Sequence, residues 1–412
     1  MIRKEYEKMD MKKLTALFAA AAMAASITAC GNTSDAPAET SAADQSEVSE
    51  TAEVSVKDTH TNDEMRDMTA AEVVAEMKIG WNLGNTLDST RDGEFVDDTS
   101  KYETAWGNPV TTKQMVDMVK NEGFNVFRVP VTWYQHVGEG PDYSIDEAWM
   151  NRVQEVVNYG IDNDMYVILN LHHEEWHMPT ADNLDAAKEE LAAIWSQIAD
   201  RFGGYDEHLI FEGMNEPRLK GTPMEWTGGN EEARDCINQL NQVFVDTIRA
   251  SGKNNPKRSL MIPTYAASSD QKVIDDFVVP EDDRVIVSIH AYTPYNFALA
   301  DNKSGTDQWS ADNAADTNEI DLLFARLDDR FLKNGIPVVI GEFGTRNRFN
   351  TEARAAHAEY YVSKAKEYGV PCVWWDNNAF VGSGENFGLL NRRELTWNYP
   401  EIMDALMRGV NS

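Results

Sequence analysis

Positive charge is scarce in this chain: 37 Lys and Arg stand against 69 Asp and Glu, a formal net charge of −32 over 412 residues. A surface so acidic repels phosphate backbones and anionic lipid, which argues against nucleic-acid or membrane-surface partners and leaves a neutral polymer open. Cysteine is scarcer still. Beyond Cys30, only Cys236 and Cys372 occur, and two thiols in so large a body imply no disulfide framework; both are expected free and mostly buried. The apolar run Leu14 to Ala25 is too short to cross a bilayer as a permanent helix. It does carry the flanks of an export signal, with MKK at 11–13 before it and ITAC at 27–30 after it.

ITAC followed by Gly31 looks like a bacterial lipobox. Residues 1–30 are therefore expected to form a lipoprotein signal peptide, with Cys30 lipidated at the mature N-terminus; an ordinary signal peptide with a chance cysteine is the alternative. Ten charged and mixed residues precede MKK, so Met1 and Met11 are both candidate starts. Residues 31–64 have one proline, Pro37, and no aromatics, and are rich in Ser, Thr, Ala, Asp and Glu. Such a stretch cannot bury enough apolar surface to offset its ordering entropy, which predicts a disordered, self-repelling tether. The expected location is the cell envelope, lipid-anchored and facing outward, or the exterior, with the membrane engaged only through the N-terminal lipid.

From about residue 65 the composition changes. Short β-branched or aromatic runs recur: MKIGWN (77–82), FNVFRVP (124–130), MYVILNL (165–171), LIFEGMN (209–215), SLMIPT (259–264), RVIVSIH (284–290), IPVVIGE (336–342) and PCVWWD (371–376). Near-continuous apolar runs suit parallel strands buried on both faces. Between them lie helical patterns such as TTKQMVDMVKNEG, which opens on threonines able to cap it and closes on a glycine. Strand then helix, eight times, is an α/β fold, the (β/α)8 or TIM barrel, over residues 65–412. In such barrels chemistry collects at the C-terminal strand ends. Here those ends carry Asn82, Asn85, Arg128, His172, Asn215, Glu216, His290, Tyr292, Glu342 and Trp375.

The stretch LHHEEWH at 171–177 matches H-E-x-x-H, the zinc-protease signature, through His173, Glu174 and His177. That motif works only on a helix, where residues four apart share a face. Here it follows an apolar strand pattern and meets Pro179, with no third ligand at a suitable spacing. No metal or other cofactor is therefore expected.

Two carboxylates stand out: Glu216 in MNEP past the fourth strand, and Glu342 in GEFG at the end of the seventh. A single glutamate near a strand end is more often an ion-pair partner. The combination, with GWNLGNTLD (80–88), ETAWGNP (103–109), GFNVFRVPVTW (123–133), VILNLHH (167–173), FEGMNEPR (211–218), HAYTPYNF (290–297) and VWWDN (373–377), resembles glycoside hydrolase family 5, most closely its subfamily 4. The resemblance covers almost all of residues 65–405 and implies an endo-β-1,4-glucanase acting on cellulose, mixed-linkage glucan or xyloglucan, with xylan and mannan open on the same scaffold. All eight family positions, Arg128, His172, Asn215, Glu216, His290, Tyr292, Glu342 and Trp375, are matched.

Retaining hydrolysis needs one carboxylic acid to protonate the leaving oxygen and one carboxylate to attack the anomeric carbon. Glu216 is assigned as acid/base and Glu342 as nucleophile. Arg128 and Tyr292 would favour an ionised Glu342, and His290 would neighbour Glu216. Asn215 can bond the sugar 2-hydroxyl; His172, Asn82 and His173 would orient hydroxyls or neighbouring side chains, with Asn82 open between support and direct sugar contact.

Sugar rings stack on aromatics, and Trp375 is the leading platform. Trp133 and Trp176 are candidate subsites, with Trp226 and Trp309 divided between subsite and packing; Trp149, Trp195 and Trp374 fall on inward helix or strand positions and are expected in the core. Residues 219–230, LKGTPMEWTGGN, form an inserted loop beside the cleft. A non-catalytic glycan-binding protein would share the aromatic rim but has no need of both carboxylates. A cleft for a long polymer must stay open at both ends, so a monomer is expected.

Overall fold

The computed structural model describes residues 60–412; the signal peptide, Cys30, both candidate starts and residues 31–59 of the tether lie outside the described residues. Strands β1 (Ile79–Leu83), β2 (Val126–Val129), β3 (Tyr166–Asn170), β4 (Leu209–Glu212), β5 (Leu260–Pro263), β6 (Val285–His290), β7 (Val338–Phe343) and β8 (Cys372–Asp376) form a closed barrel in chain order. All neighbours are parallel, and β8 pairs back onto β1 from Ile79↔Cys372 to Leu83↔Asp376. Each strand lies within one residue of an apolar run in the sequence. Every residue of all eight is buried, because helices cover the outside and side chains fill the inside.

The connecting helices carry readable ends. Lys113–Glu122 stops at Gly123, whose φ of 114° lies in the left-handed region that favours glycine. Thr112 stands at its N-cap, yet its hydroxyl makes no capping bond. Glu147–Ile161 is capped by Asp146, which accepts from the Ala148 N–H. Cys236 and Cys372 are free and buried, and among the described residues no helix is long and apolar enough to cross a membrane.

Inside the barrel the strands divide into two halves. Toward their N-terminal ends, Val126, Tyr166, Ile168, Ile210, Met261, Ile286, Val339 and Val373 form an apolar layer, plugged by Ala70, Val73 and Val74 of the helix Ala70–Glu76 and by Met77 at its C-cap. Two residues further along, the inward positions turn polar: Asn82, Arg128, Asn170, Glu212 and Ser288 are all buried.

The chain preceding the plug crosses the same closed end. Asp63 N–H donates to Gly204 at 2.9 Å, the Arg66 N–H to Glu207 at 2.9 Å, and Arg284 pairs with Asp67 at 2.7 Å. His60 to Glu64, which composition places in the tether, are thus fastened to the barrel: backbone partners offset the ordering that side chains alone would not.

Candidate active site

Arg128 projects from β2 into the open half and uses its whole guanidinium. Its Nε donates to Glu212 at 2.8 Å, Nη1 to Glu342 at 2.8 Å and Asn82 at 3.0 Å, and Nη2 to Asn215 at 2.8 Å. Burial opposes its charge, but Glu212 and Glu342 outweigh that and hold the guanidinium above its usual range. Glu212 is closed off by Asn170 at 3.1 Å and Ser288 at 2.7 Å. A buried charge is tolerable only when paired and bonded in this way.

The two catalytic candidates face each other across this hub. Glu342 accepts from Arg128 on one oxygen and from the Tyr292 hydroxyl, at 2.9 Å, on the other. Glu216 lies 2.8 Å from His290 Nδ1, which is 3.6 Å from Glu342. One ligand atom from each of Glu216, His290 and Glu342 falls within 4.8 Å of the others. Burial opposes ionisation of Glu216, yet the hydrogen bond and charge of His290, with Arg218, outweigh it and set the carboxyl below its usual range. Burial likewise opposes protonation of His290, and Glu342 and Glu216 outweigh it, raising the imidazole. The His290–Glu216 pair therefore holds one proton between two close partners.

The remaining sequence candidates fall around them. His172 stacks parallel to Trp375, ring centres 5.6 Å apart, and its Nδ1 lies 3.1 Å from Asn170. Gly84 makes room for that indole: a Cβ there would stand 2.8 Å from Trp375 Cζ2. Burial depresses both His172 and His173, the latter to about 4, so each offers a neutral ring. Asn82 is fully buried and donates to the Gly341 carbonyl at 2.9 Å, which makes it a support and not a sugar contact. A cavity of about 280 Å³ opens beside Glu216, lined by His172, His173, Glu174, His177, Arg218 and Lys220 among others.

Burial separates three tryptophans for which the sequence leaves subsite and packing open. Trp133 has no exposed surface, and its Nε1 donates to the Asn170 carbonyl at 2.9 Å, so it presents no face to a sugar. Trp309 packs against Phe297, His357 and Tyr360 and is core. Trp176 is half-buried, packed against the core with its Nε1 on Glu174 at 2.8 Å, which leaves it little platform. Trp149, Trp195 and Trp374 are buried as expected.

Around the zinc-like motif the backbone after β3 is not helical. Glu174 instead accepts from the N–H groups of Trp133 at 2.7 Å and Tyr134 at 3.1 Å, fastening two loops. Two close acidic groupings, at Glu342 and Glu207, already face Arg128 and Arg66, and a cation there would compete with a guanidinium. A third, Asp88 with His172 and His173, is occupied on the Asp88 side by the Asn85 and Thr86 N–H groups at 3.0 and 2.6 Å.

Two contributors escaped the sequence reading. Glu212 sits inside an apolar strand run, and only strand alternation, which sets it on the same face as Ile210, signals that it points inward. Trp106, within ETAWGNP, is 43% exposed with its ring 5.6 Å from His173.

Comparison with known proteins agrees with this architecture. The sequence profile of the cellulase family, glycosyl hydrolase family 5, matches residues 89–381. Endoglucanase 1 of Ruminococcus albus is 49% identical over 410 residues, spanning 96% of this chain and 97% of its own. A GH5-4 broad specificity endoglucanase from Ruminococcus champanellensis, solved with bound cellotriose, is 55% identical with a TM-score of 0.81, covering 84% of this chain and 100% of its own. A family 5 lichenase from Caldicellulosiruptor sp. F32, solved with cellotetraose, is 44% identical with a TM-score of 0.80, over 85% and 97%.

Proposed function

The chain belongs to glycosyl hydrolase family 5, the cellulase family, in the grouping of subfamily 4, and from that premise we propose an endo-β-1,4-glucanase working by double displacement. Glu342 attacks the anomeric carbon while Glu216 protonates the departing oxygen, and a covalent glycosyl ester forms on Glu342. Glu216, now ionised, takes a proton from water, which attacks the same carbon and releases a sugar of the original configuration. The observation that carries this reading is the approach of the two carboxylates. Ligand oxygens within 4.8 Å suit the roughly 5 Å separation of retaining enzymes and leave no room for the inverting water, which needs about 6.5 Å or more.

The proton shared by His290 and Glu216 is the one delivered in the first step, and the pair regains a proton from the attacking water in the second. Asn215, its oxygen held by Arg128, turns its amide nitrogen to the sugar 2-hydroxyl, a contact that tightens in the transition state. Trp375 and His172 form the floor beneath the reacting ring. Recording the anomer of the first product on β-glucan tests the reading: a β-anomer is expected, and an α-anomer would overturn retention.

Xyloglucan is proposed as a further substrate, since the GH5-4 relative from Ruminococcus champanellensis is described as broad in specificity. Product profiles on carboxymethylcellulose, xyloglucan, xylan and glucomannan test this choice. The N-terminal pattern supports an enzyme anchored through Cys30 lipid, and the need for a cleft open at both ends supports a monomer; a Cys30→Ser chain should then leave the membrane fraction.

A further inference from the structure

Arg218, two residues past Glu216, contacts three residues with one guanidinium. Its Nη1 donates to the Glu216 backbone oxygen at 2.9 Å and lies 3.6 Å from the Glu216 carboxylate. Its Nε donates to Glu225 at 3.1 Å. Its Cζ stands 4.2 Å from the centre of the Trp226 ring, a cation–π distance. Trp226 is 62% exposed, so one face is pinned and the other is offered to solvent.

The loop that carries this indole is braced. The Tyr265 hydroxyl accepts from the Leu219 N–H at 3.0 Å and donates to the Met224 carbonyl at 2.9 Å. Glu225 also accepts from the Gly221 N–H at 2.8 Å, and Lys272 holds the Thr227 carbonyl. Gly229, with φ of 61°, presses so near the Tyr265 ring that a Cβ would sit 2.5 Å from it. An exposed tryptophan on a braced loop, backed by a cation, is an apolar plane held for a ligand.

We infer that Arg218 is a positioning residue that joins the Glu216 carboxyl to a sugar platform at Trp226, which takes a pyranose ring of the leaving chain. The inference rests on Glu216 being the acid/base, since the acid must stand on the leaving side. As Glu216 gives up its proton, negative charge develops 3.6 Å from Arg218, and a fixed cation there stabilises the transition state more than the ground state. The same contact ties ring stacking to the placement of the proton donor. The other groups facing Glu216 are His290 at the end of β6, Tyr292 just after it, His173 after β3, Glu342 on β7 and Glu385 after β8.

The test compares Arg218→Met, Arg218→Lys and Trp226→Ala on β-glucan and on β-cellobiosyl fluoride, whose leaving group is a single atom. Arg218→Met should move the basic limb of the kcat/KM profile on β-glucan upward by about one pH unit, because Glu216 loses a neighbouring positive charge and keeps its proton longer. Arg218→Lys should leave that limb in place. Trp226→Ala should lower kcat/KM on β-glucan about tenfold and leave the fluoride within about twofold. An unmoved limb in Arg218→Met, or equal losses on both substrates in Trp226→Ala, would overturn the inference. Glu216→Ala separates the two levels. Full β-glucan activity in that variant would remove the acid/base assignment itself, whereas loss on β-glucan with the fluoride still cleaved confines any negative result to Arg218.

Discussion

The two halves of the barrel interior are built from the same strands and differ in what they bury. On β3, Ile168 belongs to the apolar layer and Asn170, two positions on, bonds His172 and Glu212. On β4, Ile210 and Glu212 divide the same way. One half gains stability from dispersion and desolvation, the other surrounds one guanidinium with acceptors. Stability and chemistry are thus separated along the strand by a single period of side-chain alternation.

Replacing Glu342 with alanine should give the largest separation: hydrolysis falls on the order of 10⁵-fold or more, as when a nucleophile is deleted, while the melting temperature moves by no more than about 3 °C. A melting loss far beyond that would mean the open half also carries the fold. Arg128→Met should break both functions. It strands Glu212 in the interior, at a cost of about 3–5 kcal/mol by urea unfolding, and abolishes turnover. Ile168→Ala attacks the closed half alone, lowering stability by about 2–5 kcal/mol; kcat/KM well below the melting transition should stay within about twofold of the parent. If activity falls in step with stability, the separation is illusory.

Gly84→Ala probes the rim more finely. The added carbon meets the Trp375 ring at 2.8 Å and must shift it, costing about 1–3 kcal/mol, read as a raised KM for cello-oligosaccharides.

The smallest effect concerns pH. His357 donates to the Thr293 carbonyl at 2.8 Å, bracing the loop after β6, and burial lowers its pKa to about 4 against the ordinary 6.5. A depressed histidine contributes stability that is complete above the unfolded value and is lost as pH falls from 6.5 through about 4, since the unfolded chain binds the proton first. His357→Gln keeps a donor without the titration, so its melting temperature should fall less than the parent's over that interval. Identical slopes would remove His357 from the acid response.

The fold was legible because eight apolar runs, each too short for a long helix, leave few arrangements other than a closed parallel sheet. The site was legible for a related reason: once the strands are placed, their ends name Arg128, His172, Glu216, His290 and Glu342 together. What stayed hidden depended on orientation. Trp133 follows a strand end just as a platform would, yet loop closure on Glu174 turns its ring inward. Trp226 reads equally as packing or platform in the sequence, and only the fold sets the Arg218 guanidinium against one of its faces. Such choices are made by side-chain contacts, which periodicity does not encode.

The entry of the chain at the closed end sets a direction for the molecule. Asp63, Arg66 and Asp67 are held beside the starts of β4, β5 and β6, the full length of a strand away from Glu342. The described chain thus starts at the base of the barrel, at the pole opposite the catalytic rim. A long, stiff polymer can therefore cross the catalytic rim without meeting the segment at 60–67.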